Sequence, residues 1–153
     1  MTDRDPRAGL VVDLVTAASW RTYRDVRLAA LIDSPRAFWA QYAEAAERTD
    51  DEWRERCATI GPTWLALDDA RPVGTVGLWH ADEQPAHEVY VVGMWVATVA
   101  RGTDVATQLV GTALTHAAAS GWRRVLLDVA HENARARAFY SRMGFRPTGA
   151  VDT

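Results

Sequence analysis

The chain has one cysteine, Cys57, and no lysine: all 17 basic residues among its 153 are arginine. A lone cysteine excludes an internal disulfide and a cysteine-built zinc site. The arginine-only usage is read as base composition, not chemistry. The four histidines, His80, His87, His116 and His131, have no ligand spacing, so no metal is expected. No apolar run approaches the roughly 18 residues of a membrane span. The first residues, MTDRDPRAG, are polar and unlike a secretory leader. A cytoplasmic protein without a membrane partner is therefore expected. Repeats and low-complexity linkers are missing, as are the Gly-rich P-loop and the dinucleotide fingerprint GxGxxG.

What is present suits a single domain over 1–153. Apolar residues make up 48% and charged residues 24%, ordinary for a globular chain. The net charge of −3 conceals an asymmetry. Residues 1–100 carry 10 Arg against 16 Asp and Glu, a balance of −6; residues 101–153 carry 7 against 4, a balance of +3. The positive second half suits a phosphate-bearing ligand. It is too weak for nucleic acid, which leaves a broad basic footprint.

Leu10 to Val15 reads as a short strand, and Ser19 as the cap of a helix to about Ala30. Asp33-Ser34-Pro35 starts a second helix, which carries Phe38, Trp39 and Tyr42. A shorter helical stretch covers Glu52 to Cys57 and breaks at Gly61-Pro62. Thr63 to Leu67 and Val73 to His80, joined by DDARP, read as a hairpin. His87 to Ala97 lacks alternation, the mark of a central strand covered on both faces. From Val105, apolar residues at Leu109, Val110, Ala113, Leu114 and Ala117 form a helical stripe that Gly121 closes. Arg124 to Ala130 reads as another buried strand. Asn133 then caps a helix with apolar Ala136, Phe139, Tyr140 and Met143, closed by Gly144. The order strand, helix, strand, helix implies a parallel pair with a right-handed crossover. The fold class expected is α/β (α+β): a mixed sheet carrying helices.

The turn Arg-Gly-Thr-Asp delivers a strand into a helix. The first amides of a helix lack intrahelical partners and carry partial positive charge, which suits an anion such as phosphate. Gly102 permits close approach and Arg101 adds a fixed charge; a plain capped turn is the alternative.

Three segments, in order, resemble the GNAT family of acetyl-CoA-dependent N-acyltransferases: "MWVATVARGTDVATQLV", "LLDV" and "HENARARAFYSRMGF". The resemblance implies a mostly antiparallel sheet whose central strand is splayed from a parallel neighbour, with helices on both faces and acetyl-CoA as co-substrate. It implies that backbone at Trp95, Val96 and Ala97 faces the pantetheine arm, and that the loop Arg101, Gly102, Thr103, Asp104, Val105, Ala106 and Thr107 takes the pyrophosphate. Asp104 stands where that loop expects a glycine, and weakened coenzyme binding is expected from it. Tyr140 matches the family's general acid, and Asn133 matches an asparagine that contacts the coenzyme. The base is open among Glu88, His131 and His80. The acceptor is expected to be a small-molecule amine or a peptide N-terminus, with the acidic first half favouring a cationic one. Trp20, Phe38, Trp39, Tyr42 and Trp79 are candidates for an aromatic acceptor pocket. Only Phe145 to Thr153 follow the last helix, too few for the two strands that usually close the family's sheet. An uncovered edge beside Arg124–Ala130 would favour a homodimer. An interaction module that binds acyl-CoA without turnover is the competing reading.

Overall fold

The computed structural model describes residues 9–33, 39–130 and 132–148. They build a five-stranded sheet in the order β1 (Leu10–Leu14), β2 (Thr63–Asp68), β3 (Arg71–Trp79), β4 (Glu88–Val96) and β5 (Arg124–Leu126). The first four strands are antiparallel neighbours, and β4 and β5 run parallel. The helices are α1 (Trp20–Asp33), α2 (Trp39–Ala46), α3 (Asp50–Thr59), α4 (Val105–Ala119) and α5 (Ala134–Arg142). This is the mixed α/β sheet expected from the sequence. Among the described residues no helix is long and apolar enough to cross a membrane.

Local chemistry sets the helix ends. Thr49 and Glu52 form a reciprocal box at the start of α3: the Glu52 amide donates to Thr49 Oγ1 at 3.1 Å, and the Thr49 amide to Glu52 Oε1 at 3.3 Å. That cap extends α3 beyond the expected Glu52–Cys57. The cap expected at Ser19 lies one turn earlier. The Thr16 amide donates to Ser19 Oγ at 2.9 Å, and a 3₁₀ turn over Ala17–Ser19 leads into α1. The proline start expected for α2 falls outside the described residues. Between β2 and β3, Asp69 and Ala70 both have positive φ, 50° and 70°. That is the conformation a two-residue hairpin needs to match strand twist.

Two apolar clusters sandwich the sheet. On one face Leu109, Ala113 and Ala117 of α4 pack on Ala66, Val76 and Val89. On the other, Trp20, Tyr23 and Val26 of α1 pack with Trp53, Cys57 and Leu65. Helices thus cover both faces. Gly74 of β3 lets α4 approach: a Cβ there would lie 2.9 Å from Leu109 Cδ1 and 2.9 Å from the Trp95 carbonyl oxygen.

The strand expected over Arg124–Ala130 is shorter. β5 pairs with β4 only through Glu88↔Arg124, Val89↔Val125 and Tyr90↔Leu126. β4 continues to Val96 against β3 alone, while residues 127–130 form no strand. The divergence coincides with a bulge: the register with β3 slips between Gly77↔Val92 and Thr75↔Trp95, and Gly93 there has φ +63°. An extra residue kinks a strand and ends its regular pairing, and only glycine takes that φ cheaply. Among the described residues β5 is an edge of the sheet.

Candidate active site

The fork between β4 and residues 127–130 opens a cavity of about 550 Å³. Val91 to Trp95 of β4 line one wall; Leu127, Asp128 and Tyr140 line another. Arg27, Ala30 and Leu31 of α1 also face it, as do Trp79 and Tyr90. Trp79 and Tyr90 are cross-strand partners with stacked rings, centroids 6.4 Å apart.

Tyr140 reaches this cavity because α5 starts where it does. Asn133 Oδ1 accepts the Ala136 amide at 3.0 Å, and Tyr140 follows two turns later. Its ring packs edge-on against Phe139 and Phe145, at 5.2 and 5.7 Å. Burial pushes the phenol above its ordinary value of 10.0, so it holds its proton at neutral pH. A neutral phenol can donate a proton to a departing thiolate. Asp128 is the carboxylate in the lining, exposed and on the same wall as Tyr140.

The loop after β4 is tightly folded. The Arg101 and Thr103 amides donate to Thr98 and Ala100 carbonyls, both at 3.3 Å, and the Thr103 hydroxyl donates to the Ala100 carbonyl. Gly102 has φ +80° and open space around it. The Gly102, Ala106 and Thr107 amides have no carbonyl partner among the described residues, and the first backbone bond of α4 is Gln108 N to Asp104 O at 3.0 Å. These three donors beside a fork are fit to receive an anionic group.

Arg101 is already engaged. It forms an ion pair with Asp33, at the end of α1, and its Nε donates to the Val96 carbonyl at 3.1 Å. Asp33 Oδ2 also accepts the Trp95 indole N–H at 3.1 Å. The Trp95 and Arg101 bonds hold the Asp33 carboxyl below its usual range.

Residues 26–145 match the acetyltransferase (GNAT) family. The chain belongs to that family. Among the family's curated members, human N-acetyltransferase 8B is 31% identical over 116 residues, 72% of this chain and 51% of that protein. The mycothiol acetyltransferase of Nocardia farcinica is 36% identical over 114 residues, 71% of this chain and 35% of that one. The chain thus spans about half, or less, of the curated relatives it matches. Among solved structures, an aminoglycoside acetyltransferase from an uncultured soil metagenomic sample, in complex with sisomicin, superposes with a TM-score of 0.74 at 12% identity, covering 97% of this chain and 95% of that one. AAC(6')-Iy in complex with CoA gives 0.69 at 17%, covering 94% and 92%. At such identities these structures support the GNAT fold.

The fork brings some of the expected GNAT residues together and leaves others apart. Tyr140 and Trp95 line the cavity; Val96 and Ala97 do not. The Ala97 amide is taken by the Val73 carbonyl at 2.8 Å and the Val96 carbonyl by Arg101. The backbone that faces the fork is the bulge, Val92 to Met94, which the sequence signalled by a glycine inside a strand. Val105 is 5% exposed and packs in the core, so only its backbone belongs to the loop. Asp104 is drawn aside, its Oδ2 accepting Gln108 Nε2 at 2.9 Å. Asn133 spends its side-chain oxygen on capping α5.

Of the candidate bases, Glu88 stands at the closed end of the fork, paired with Arg124 at 3.2 Å. His80 Nδ1 donates to the Glu88 carbonyl at 2.8 Å, and the ring stacks on Trp122 at 5.1 Å. His131 lies outside the described residues. Of the candidate acceptor aromatics, Trp79 lines the cavity. Trp20 is buried in the α1 cluster, and Tyr42 packs against that cluster. Phe38 lies outside the described residues, as does the Trp39 side chain. Asp128 and Arg27 were not singled out from the sequence, and Asp33 only as a helix start. The signal for Asp128 was a lone charge inside the apolar run "LLDV"; the other two carried no local signal for a site.

Proposed function

We propose that this chain moves an acetyl group from acetyl-CoA to a primary amine by direct attack in a ternary complex. The observation that carries the reading is the fork: a strand pair that parts after three residue pairs, with a half-buried neutral phenol and a carboxylate on one wall and a bulged backbone on the other. The Gly102, Ala106 and Thr107 amides would hold the pyrophosphate. Acetyl-CoA supplies the activated acyl thioester. Asp128 takes a proton from the acceptor ammonium, directly or through water, and leaves a nucleophilic amine. Nitrogen bonds to the acyl carbon, and backbone donors at the bulge stabilise the charge on the carbonyl oxygen. The carbon–sulfur bond breaks and Tyr140 gives its phenolic proton to the sulfur; the nitrogen releases its extra proton to solvent, from which the phenolate regains one. Glu88, tied to Arg124, serves the closed end of the strand pair in this scheme.

Thiol release from acetyl-CoA across a panel of amines tests the reading. Acetylation of at least one amine, with thiol and product in equal amounts, is expected. CoA binding without thiol release from any amine would favour the competing interaction module. Pairing of two β5 edges gives the proposed homodimer; a monomer mass by sedimentation at high protein concentration would remove that part alone.

A further inference from the structure

Among the described residues, Arg27 is a cation without a counter-ion. It lies on α1 and lines the cavity, and its Nη1 is 3.8 Å from where a Cβ on Gly93 would stand, so the guanidinium reaches the bulge. It makes no hydrogen bond or ion pair among the described residues, whereas Arg24, Arg54, Arg101 and Arg124 each have a carboxylate partner. Of the groups it feels, the Tyr23 phenol favours its charge, while Arg56 and Arg48, both positive, oppose it. Arg48 sits 5.1 Å over the Trp53 ring, and Arg56 Nε is itself buried with no hydrogen-bond partner among the described residues. Burial weakens Arg27's hold on its proton, yet a guanidinium stays charged throughout the range in which proteins fold. A partly desolvated, unpaired cation is costly in the free protein and is relieved when an anion arrives.

The cavity therefore carries opposite charges from different elements: Arg27 from α1 and Asp128 from the segment after β5. A cationic amine would find its partner at Asp128 and repulsion at Arg27. A zwitterion would satisfy both. Resting on the acetyl-transfer reading, we infer that the acceptor is an amine that also bears a carboxylate, an amino acid, with its carboxylate held by Arg27 and its amine presented to Asp128. One guanidinium offers two parallel N–H donors that match a carboxylate. A doubly charged phosphate usually gathers more cations than the single one present here. Local charge thereby overrides the regional balance: the acidic first half supplies an arginine to the acceptor wall.

The test compares amino acids with their carboxamides, and with sisomicin, as acceptors for the full chain. For the best amino acid, kcat/KM is expected to exceed that of its carboxamide by about 10- to 100-fold, the strength of a charge-assisted pair. In Arg27→Met that ratio falls towards one, and Arg27→Lys restores part of it. A second arm needs no turnover: calorimetry of N-acetyl amino acids against their N-acetyl carboxamides on CoA-loaded protein, where the carboxylates should bind more tightly. Equal use of acid and carboxamide, an unchanged ratio in Arg27→Met, or preference for sisomicin would overturn the inference. A protein that discriminates in calorimetry but releases no thiol would keep Arg27's role and defeat acetyl transfer; turnover without discrimination would do the reverse.

Discussion

Asp104 puts a carboxylate at the mouth of the helix that is proposed to grip a pyrophosphate. The position does not demand glycine: φ −83° and ψ 0° suit any residue. The side chain caps nothing and instead turns along the first turn of α4 to Gln108. That tether moves the charge aside. Two like charges about 4 Å apart repel by about 1 kcal/mol in water and about 4 kcal/mol at an effective dielectric of 20. The loop at 101–103 is exposed and Asp104 half-buried, so the lower part of that range applies. A penalty of about 1–2 kcal/mol corresponds to about 5- to 30-fold in Kd. Asp104→Asn removes the charge, keeps the shape and keeps a good N-cap residue type. Calorimetry should show tighter CoA binding by that factor at low salt and a smaller gain near 1 M salt, where the screening length falls to about 3 Å. Pantetheine, which has no pyrophosphate, should bind both proteins alike. Unchanged or weaker CoA binding in Asp104→Asn would refute the reasoning, and so would an equal gain for pantetheine.

Tyr140→Phe should lower kcat for thiol release by about 100-fold or more while CoA affinity stays within about 3-fold; parallel losses in both would indicate packing instead. Because burial raises the Tyr140 value, the folded state favours the neutral phenol. Its contribution to stability is intact below the unfolded value near 10 and is lost as pH climbs from there through the folded value, a loss that a Tm series should find missing in Tyr140→Phe. For Asp33 the sign is opposite. Its lowered folded value means that stability is present above the unfolded value near 3.9 and is lost as pH falls through the folded one, so the Tm gap between wild type and Asp33→Asn should close towards pH 2. Gly74→Ala would push a methyl against the Trp95 carbonyl and Leu109, and denaturant unfolding should show a loss of about 1–3 kcal/mol; wild-type stability in that variant would mean that α4 and β4 separate easily.

Local patterns made most of the elements legible. The α4 stripe, the DDARP hairpin and the Asn133 cap each state their structure within a few residues, and each stands close to where the sequence put it. Ladders are harder to read, because the partner decides them. "RVLLDVA" is apolar apart from Arg124 and Asp128, yet only Arg124 to Leu126 pair, since β4 bulges at Gly93 and turns away from the remainder. The site followed the same division. Tyr140 is fixed by the periodicity of α5, and the loop by its glycine and helix start. Glu88 looked eligible as a base from its place at the start of a central strand, but the parallel register hands it to Arg124 at the closed end.

The contacts that escaped sequence reading share one origin, helix α1. Arg27 and Asp33 are six positions apart, about 9 Å along the axis. The first faces the bulge and the second holds Trp95 and Arg101, partners 62 and 68 positions away. No periodicity in α1 announces these roles, because both residues act on strands and loops remote in the chain. Their common element has a mechanical consequence. The core-facing residues Trp20, Tyr23, Val26, Ala30 and Leu31 fix α1 against the sheet, so the proposed acceptor wall and the proposed phosphate loop are referenced to one rigid body. A change that shifts α1 moves the Arg27 guanidinium and the Arg101 anchor together. In the proposed reaction the acceptor and the coenzyme are therefore positioned relative to each other by a single helix, not by two independently packed walls.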